Sequence, residues 1–163
     1  LCGFLFYNWH PSRMYMGDTG SQFLGVFLAY IGIQCFWNVP AASGEHEAWR
    51  AVTAAVVVFA LPIIDTTTVT INRLLAGGSP FVGGKDHTTH HLSYAGLSDP
   101  QVALAMAGFG ALSALLYYIM ATYVKVWSCL HTVLFGAYVL VVFILLFGLT
   151  KWARIDRSLP PDA

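Results

Sequence analysis

From His131 to Leu149 the chain carries no Asp, Glu, Lys or Arg, and the stretches 21–37 and 102–123 are equally free of charge. Runs of this length constrain the backbone more than any motif does. At about 1.5 Å per residue, they reach about 25 to 33 Å as helices, close to the thickness of a bilayer's hydrocarbon. In that medium each N–H and C=O must find its partner within the segment, which a helix achieves and an open strand does not. A fourth stretch, 49–73, is apolar over its first half, is interrupted by Pro62, and then carries Asp65, Asn72 and Arg73. Hydrophobic residues make up 57% of the chain and charged ones 10%, a balance far from that of soluble domains. The expected fold class is therefore all-α, a polytopic transmembrane helical bundle. About four complete spans (21–37, 49–73, 102–123 and 131–149) follow the end of a preceding one, Leu1 to Tyr7, closed by Asn8 and Pro11. All belong to one domain, 1–163, with polar loops at about 8–20 and 74–100.

The first loop, Asn8 to Ser21, delivers Asp18 to the mouth of an apolar span. Gly17 and Gly20 flank it, where a close approach or an unusual backbone angle would exclude a side chain. Taken alone, Asp18 reads as a helix cap. Its company of Asn8, Arg13 and a distant histidine cluster points to a site instead. Asp65 raises a similar question. In one continuous helix over 49–73, about 37 Å long, it lies roughly 12 Å from the Arg73 end. An acid at that depth faces the bundle interior or a wet cavity. It shares a helical face with Asn72, beside Arg73. A structural ion pair or hydrogen bond among these groups and a direct substrate role both fit.

Gly77-Gly78-Ser79-Pro80 ends that helix, and the loop beyond it holds Lys85-Asp86-His87-Thr88-Thr89-His90-His91. If 87–91 form a helical turn, the three imidazoles converge on one face. His10, His46 and His131 are isolated and read as interfacial or solvated. Ser98 with Gln101 is a capping-box signal for the next span. Four spans bring the Asp18 loop, the histidine loop and the C-terminal tail to one side. That side holds Arg13, Arg73, Lys85, Lys151, Arg154 and Arg157, against Arg50 and Lys125 opposite. The positive-inside rule makes it cytoplasmic, in a multi-pass protein of the inner (plasma) membrane. Formal net charge is zero with no long basic block, which gives no support for a nucleic-acid partner. Cys2, Cys35 and Cys129 form no CxxC pair and read as small apolar fillers rather than a disulfide or thiolate metal site.

A membrane-surface carboxylate suits Mg²⁺, which keeps one or two protein carboxylates and completes its shell with water and substrate phosphates. Histidines and Arg or Lys nearby stabilise phosphate oxygens during transfer. The constellation favours phosphoryl chemistry. Asn8-x-x-Pro-Ser-Arg-Met-Tyr-Met-Gly-Asp-Thr-Gly-Ser21, then Pro62-Ile-Ile-Asp65-Thr66 with Arg73, then Ser79-Pro80-Phe81 and Asp86-His87-Thr-Thr-His90-His91-Leu92, closely resembles the polyprenyl-phosphate N-acetylhexosamine-1-phosphate transferases, the superfamily of the MraY and WecA enzymes. The resemblance runs to about residue 105.

It implies transfer of a sugar-1-phosphate from a UDP-sugar to undecaprenyl phosphate at the cytoplasmic face, an early step toward a cell-envelope polysaccharide. It also implies Mg²⁺, with Mn²⁺ as a substitute, and the lipid bilayer as partner, leaving a homodimer open. Asp18 matches the family's metal-binding acid, with His90 and His91 as further catalytic residues. Asn8, Arg73, His87 and Asp65 match its substrate-binding positions. Arg73 and Asp65-Thr66 look more like the WecA-type branch, so GlcNAc-1-phosphate is the expected group. The family's His-x-His-His differs here in that the first histidine, His87, stands one residue further away.

Competing readings are a membrane di-iron desaturase or hydroxylase with an HxxHH box, an intramembrane aspartyl protease using Asp18 and Asp65, and an ion-coupled transporter with Asp65 as its ion site. The desaturase class needs about eight histidine ligands and the chain has six histidines. The protease class expects Gly-x-Gly-Asp, where Tyr15 stands at the first glycine. The family's adjacent Asp-Asp pair occurs nowhere in these 163 residues. The chain, opening at Leu1 inside an apolar run, is expected to be the C-terminal portion of a longer protein. Purified by itself, it is expected to transfer no labelled sugar phosphate to lipid, and measurable transfer would refute that.

Overall fold

The computed structural model describes residues 2–37, 47–81 and 87–155. Their elements are α1 (Cys2–Asn8), α2 (Gly17–Gly32) continued by a π-turn (Ile33–Trp37), α3 (Glu47–Val58), α4 (Ala60–Leu75), α5 (Thr88–Tyr94), α6 (Asp99–Tyr123) and α7 (Cys129–Ile155). Among the described residues there is no strand. Three helices are long and apolar enough to cross a membrane, and the pair α3 and α4 makes a fourth if it counts as one bent span. The all-helical polytopic bundle is thus the observed architecture. Lys85, Asp86, His46, Arg157 and the loop around Glu45 lie outside the described residues.

The stretch 49–73 is not the straight rod that its length suggests. It breaks at Phe59, and the two halves meet at 74°. Pro62 is the cause. It has no N–H to give the carbonyl of Val58, and its ring crowds that oxygen, so α3 stops there. Pro62 then falls in the first turn of α4, where a helix has no acceptors for its N–H groups in any case. Few backbone bonds are lost, since Phe59 N–H still reaches the Ala55 carbonyl at 2.9 Å and Ile63 N–H the Phe59 carbonyl at 3.1 Å.

Two apolar clusters hold the bundle. Ala60, Ile64, Val142 and Leu146 pack α4 on α7 below the elbow. Phe36, Ala54, Met120 and Trp127 close the opposite end. Here the π-turn after α2 is seated, with the Phe36 ring edge-on to Tyr117 at 4.9 Å and to Phe59 at 6.1 Å. The rest of α2 buries no residue. Polar ties supplement the packing: Ser113 Oγ and Tyr138 Oη lie 2.8 Å apart between α6 and α7, and Asn72 Nδ2 donates to Thr150 Oγ1 at 3.1 Å between α4 and α7. Outward faces are strongly apolar, including Phe23 and Val26 on α2 and Leu140, Ile144 and Leu145 on α7. In a bilayer such faces meet lipid tails, where they are no liability.

Helix ends follow local chemistry. Gln101 Oε1 accepts from Ser98 N–H at 2.9 Å, the capping-box arm expected for α6. The last helix runs on to Ile155, past the residue where the polar tail was expected to begin. Lys151 in its final turns complements the negative end of the helix dipole, so charge here is compatible with the helix. The three cysteines are free and exposed. Helix α4 closes in a Schellman motif: Gly78 N–H reaches the Arg73 carbonyl at 2.9 Å and Gly77 N–H the Leu74 carbonyl at 3.0 Å, with Gly77 at φ +73. Gly77→Ala puts a Cβ into a left-handed position and should cost about 1–2 kcal/mol. Gly78→Ala, where a Cβ meets only ordinary contact at 3.6 Å from the Arg73 carbonyl oxygen, should cost less. Thermal unfolding in detergent should therefore rank wild type above Gly78→Ala and Gly78→Ala above Gly77→Ala.

Candidate functional site

The α1–α2 loop, the far end of α4, helix α5 and the start of α6 share one end of the bundle. His10 Nδ1 approaches Asp99 Oδ2 at 3.7 Å, which joins the first loop to the start of α6. Within that loop Asn8 is the organiser. Its Nδ2 donates to the Met14 carbonyl at 2.6 Å and to Ser12 Oγ at 3.2 Å, while Arg13 N–H returns to the Tyr7 carbonyl at 3.0 Å. Gly17 then turns the chain into α2 at φ +66, a conformation that a side chain would strain. Asp18 follows in the first turn of α2. It is not the cap; Met16 holds that position without a side-chain bond. A carboxylate is favoured there by the helix's positive end. Asp18 is exposed, and among the described residues nothing binds its carboxylate. Gly20 opposes Met16, whose Cγ would lie 2.5 Å from an added Cβ, so its smallness serves packing of the flexible Met16 side chain.

The second part of the site hangs on Asp65. The elbow aims α4 so that this acid meets the start of α5. Its Oδ2 lies 2.8 Å from His87 Nδ1, and its Oδ1 accepts the Thr88 N–H at 2.7 Å. The expectation of an acid facing a cavity is met: Asp65, Thr88 and Thr89 edge a cavity of about 210 Å³ whose walls are Leu61, Pro62, Met106 and Leu146. The pairing with Asn72 is not formed, since Asn72 is fully buried and turns to Thr150 on α7. Arg73 Nη1 donates to the Pro80 carbonyl at 3.0 Å and so fastens the segment leaving α4.

Residues 88–94 are helical, so the spacing of the histidines acts as expected, though only in part. His87, at the N-cap, and His90 lie with ring centroids 6.5 Å apart, and His90 stacks on Tyr94 at 6.4 Å. His91 turns inward, 2% exposed, with its ring edge-on to Tyr94 at 5.9 Å. His87 thus stands exposed, His90 is partly exposed, and His91 is in the core. Thr88 and Thr150 complete the arrangement and were not anticipated. Thr150 had a signal, a hydroxyl at the end of an otherwise apolar run; Thr88 contributes a backbone N–H, which no side-chain pattern reveals.

Among the described residues no three His, Cys, Asp or Glu side chains gather closely enough to share a metal ion. His131 sits at the opposite end, bonded to Ser128 Oγ at 2.8 Å. Among the described residues a ligand set for two irons is not assembled. Magnesium makes a smaller demand, one or two carboxylate oxygens beside water and phosphate, and the uncommitted Asp18 can supply one.

Comparison with known proteins bears on the same residues. The model of glycosyl transferase family 4 matches residues 1–36, the segment that carries Asn8 and Asp18. A Bacillus subtilis protein described as a probable undecaprenyl-phosphate N-acetylglucosaminyl 1-phosphate transferase is 33% identical over 96 residues, 59% of this chain and 25% of that protein. The decaprenyl-phosphate N-acetylglucosaminephosphotransferase of Mycobacterium leprae is 29% identical over 71% of this chain and 31% of its own length. The undecaprenyl-phosphate alpha-N-acetylglucosaminyl 1-phosphate transferase of Pasteurella multocida is 27% identical over 89% of this chain and 38% of its own. These matches support the glycosyl transferase family 4 superfamily for this chain. The chain spans between 25% and 38% of the length of these relatives. No solved structure matches it significantly.

Within the segment matched by that family, the first loop depends on the donor character of Asn8. Asn8→Asp sets a carboxylate against the Met14 carbonyl and should loosen residues 9–16. Trypsin should then cut after Arg13 at least several-fold faster than in the parent protein, and an unchanged rate would reject this role.

Proposed function

We propose that the whole protein transfers GlcNAc-1-phosphate from a UDP-sugar to a polyprenyl phosphate at the cytoplasmic face of the inner membrane. The observation that carries this reading is spatial. The acid-bearing loop and the histidine helix, about seventy residues apart in the chain, emerge at one end of the bundle, where His10 of the loop approaches Asp99 at 3.7 Å at the start of α6, the helix that follows α5. The names of the relatives support the lipid acceptor and the GlcNAc-phosphate group. Arg13, Arg73 and Lys151 lie at this end and Arg50 and Lys125 at the other, a bias that supports a cytoplasmic site.

In the reaction, an oxygen of the lipid phosphate attacks the sugar-linked phosphorus of the UDP-sugar. One phosphoanhydride forms, another breaks, and UMP leaves. Asp18 would hold Mg²⁺, or Mn²⁺ in its place, and the ion supplies charge neutralisation to the diphosphate. The partly exposed ring of His90 meets phosphate oxygens, and His91, packed in the core, keeps α5 seated beneath it. His87 adds a second ring, exposed at the same face, and Arg73, which donates to the Pro80 carbonyl, would bring positive charge toward the nucleotide's phosphates. Asn8 shapes the loop that presents Asp18. The apolar faces of α6 and α7 let the isoprenoid chain approach from the membrane.

Asp18→Asn keeps the size of the side chain and removes its charge. In the full-length protein, transfer of labelled GlcNAc-1-phosphate to lipid should fall at least 100-fold, the scale on which loss of one preorganised electrostatic group acts. His131→Ala, at the opposite end, should leave the rate within about 3-fold, as for a residue outside the site. Transfer by Asp18→Asn within 3-fold of the parent would overturn the assignment.

A further inference from the structure

We propose that Asp65 is a positioning residue, a clamp by which the bent span fixes the histidine helix and the orientation of the His87 ring. This rests on the transferase reading for its kinetic consequences and on geometry for the clamp itself. The two carboxylate oxygens are divided between two partners on one turn, Oδ1 with the Thr88 N–H at 2.7 Å and Oδ2 with His87 Nδ1 at 2.8 Å. The first bond closes the backbone at the start of α5, a task the N-cap His87 does not perform with its own side chain. The second selects a face of the imidazole. When the carboxylate accepts from Nδ1–H, Nε2 is the nitrogen left to meet solvent or substrate. The His87 side chain is 52% exposed and that of Asp65 32%, so the ring stands outward while the acid stands behind it. A carboxylate that orients a histidine in this way acts through the ring and need not touch the reacting atoms.

The elbow completes the reasoning. Were α3 and α4 one straight helix, Asp65 would leave along a different line; the 74° bend at Phe59 directs it to α5. The depth of this acid in the apolar span thereby acquires a reason that involves no substrate contact.

The test uses the full-length protein and four variants: Asp65→Asn, Asp65→Ala, His87→Ala and the double Asp65→Ala/His87→Ala. Two readouts are taken, steady-state transfer from UDP-GlcNAc to undecaprenyl phosphate and deuterium uptake of peptides covering 88–94. Asp65→Ala should speed exchange of the Thr88 region at least 10-fold. Asp65→Asn keeps an acceptor for the Thr88 N–H and should hold exchange within 3-fold of the parent. In both, kcat should fall at least 10-fold while KM for UDP-GlcNAc moves less than 3-fold. The double variant should be no slower than the slower single one, since both groups act as a unit. A 10-fold rise in KM at unchanged kcat in Asp65→Asn would make Asp65 a substrate ligand and overturn the proposal. So would unchanged exchange in Asp65→Ala. If the full-length protein performs no transfer at all, the functional reading fails, and the exchange measurements still decide the clamp.

Discussion

A backbone that enters hydrocarbon must bring its own hydrogen-bond partners, and the structure follows from how that demand is met where the chain is not a plain helix. Helices α6 and α7 satisfy it by continuity, over 25 and 27 residues. The elbow between α3 and α4 satisfies it by position. Proline removes one donor where helix geometry has already released several, and the two flanking bonds from Phe59 and Ile63 keep the ladder closed on both sides. The bend costs little and redirects sixteen residues of α4 toward the polar end.

Polar side chains on α4 divide their roles by depth. Asn72, fully buried, reaches across to Thr150 and ties α4 to the last turns of α7. Such a bond contributes about 1 kcal/mol net, yet removing one partner strands the other and costs more. Asp65, two turns earlier on the helix, stands at the cavity and serves α5 instead. Arg73 secures the exit at Pro80. A single helix thus anchors the bundle and the segment that leaves it, which explains why its second half departs so far from the apolar pattern of the first.

Much of this could be read from residue order. Charge-free runs define α2, α6 and α7 because lipid leaves no other option, and Gly77-Gly78 marks the end of α4 through its left-handed turn. Asp18 beside Gly17 was legible as a special turn, though its place inside the first helical turn was not, since an acid suits either position. Other features depend on tertiary contacts that no local pattern encodes. Pro62 announced an interruption, but the angle goes with the packing of Phe59 against Phe36 and of Ala60 in the cluster with Val142 and Leu146 of α7. Asp65 could have paired with any polar neighbour on its face. That it reaches residues 22 and 23 positions onward is a matter of where α5 docks. His91 fitted the histidine spacing and still turned inward, because a seven-residue helix lying on α7 must bury one side.

The ring of Phe59 occupies an unusual junction. It stands at the vertex of the elbow, it meets Phe36 edge-on, and it lies so near Gly32 that an added Cβ there would come within 3.1 Å. The helix bearing Asp18 and the helix bearing Asp65 therefore meet the same aromatic ring. The relative placement of the two acid-bearing helices thus runs through a side chain that touches neither carboxylate.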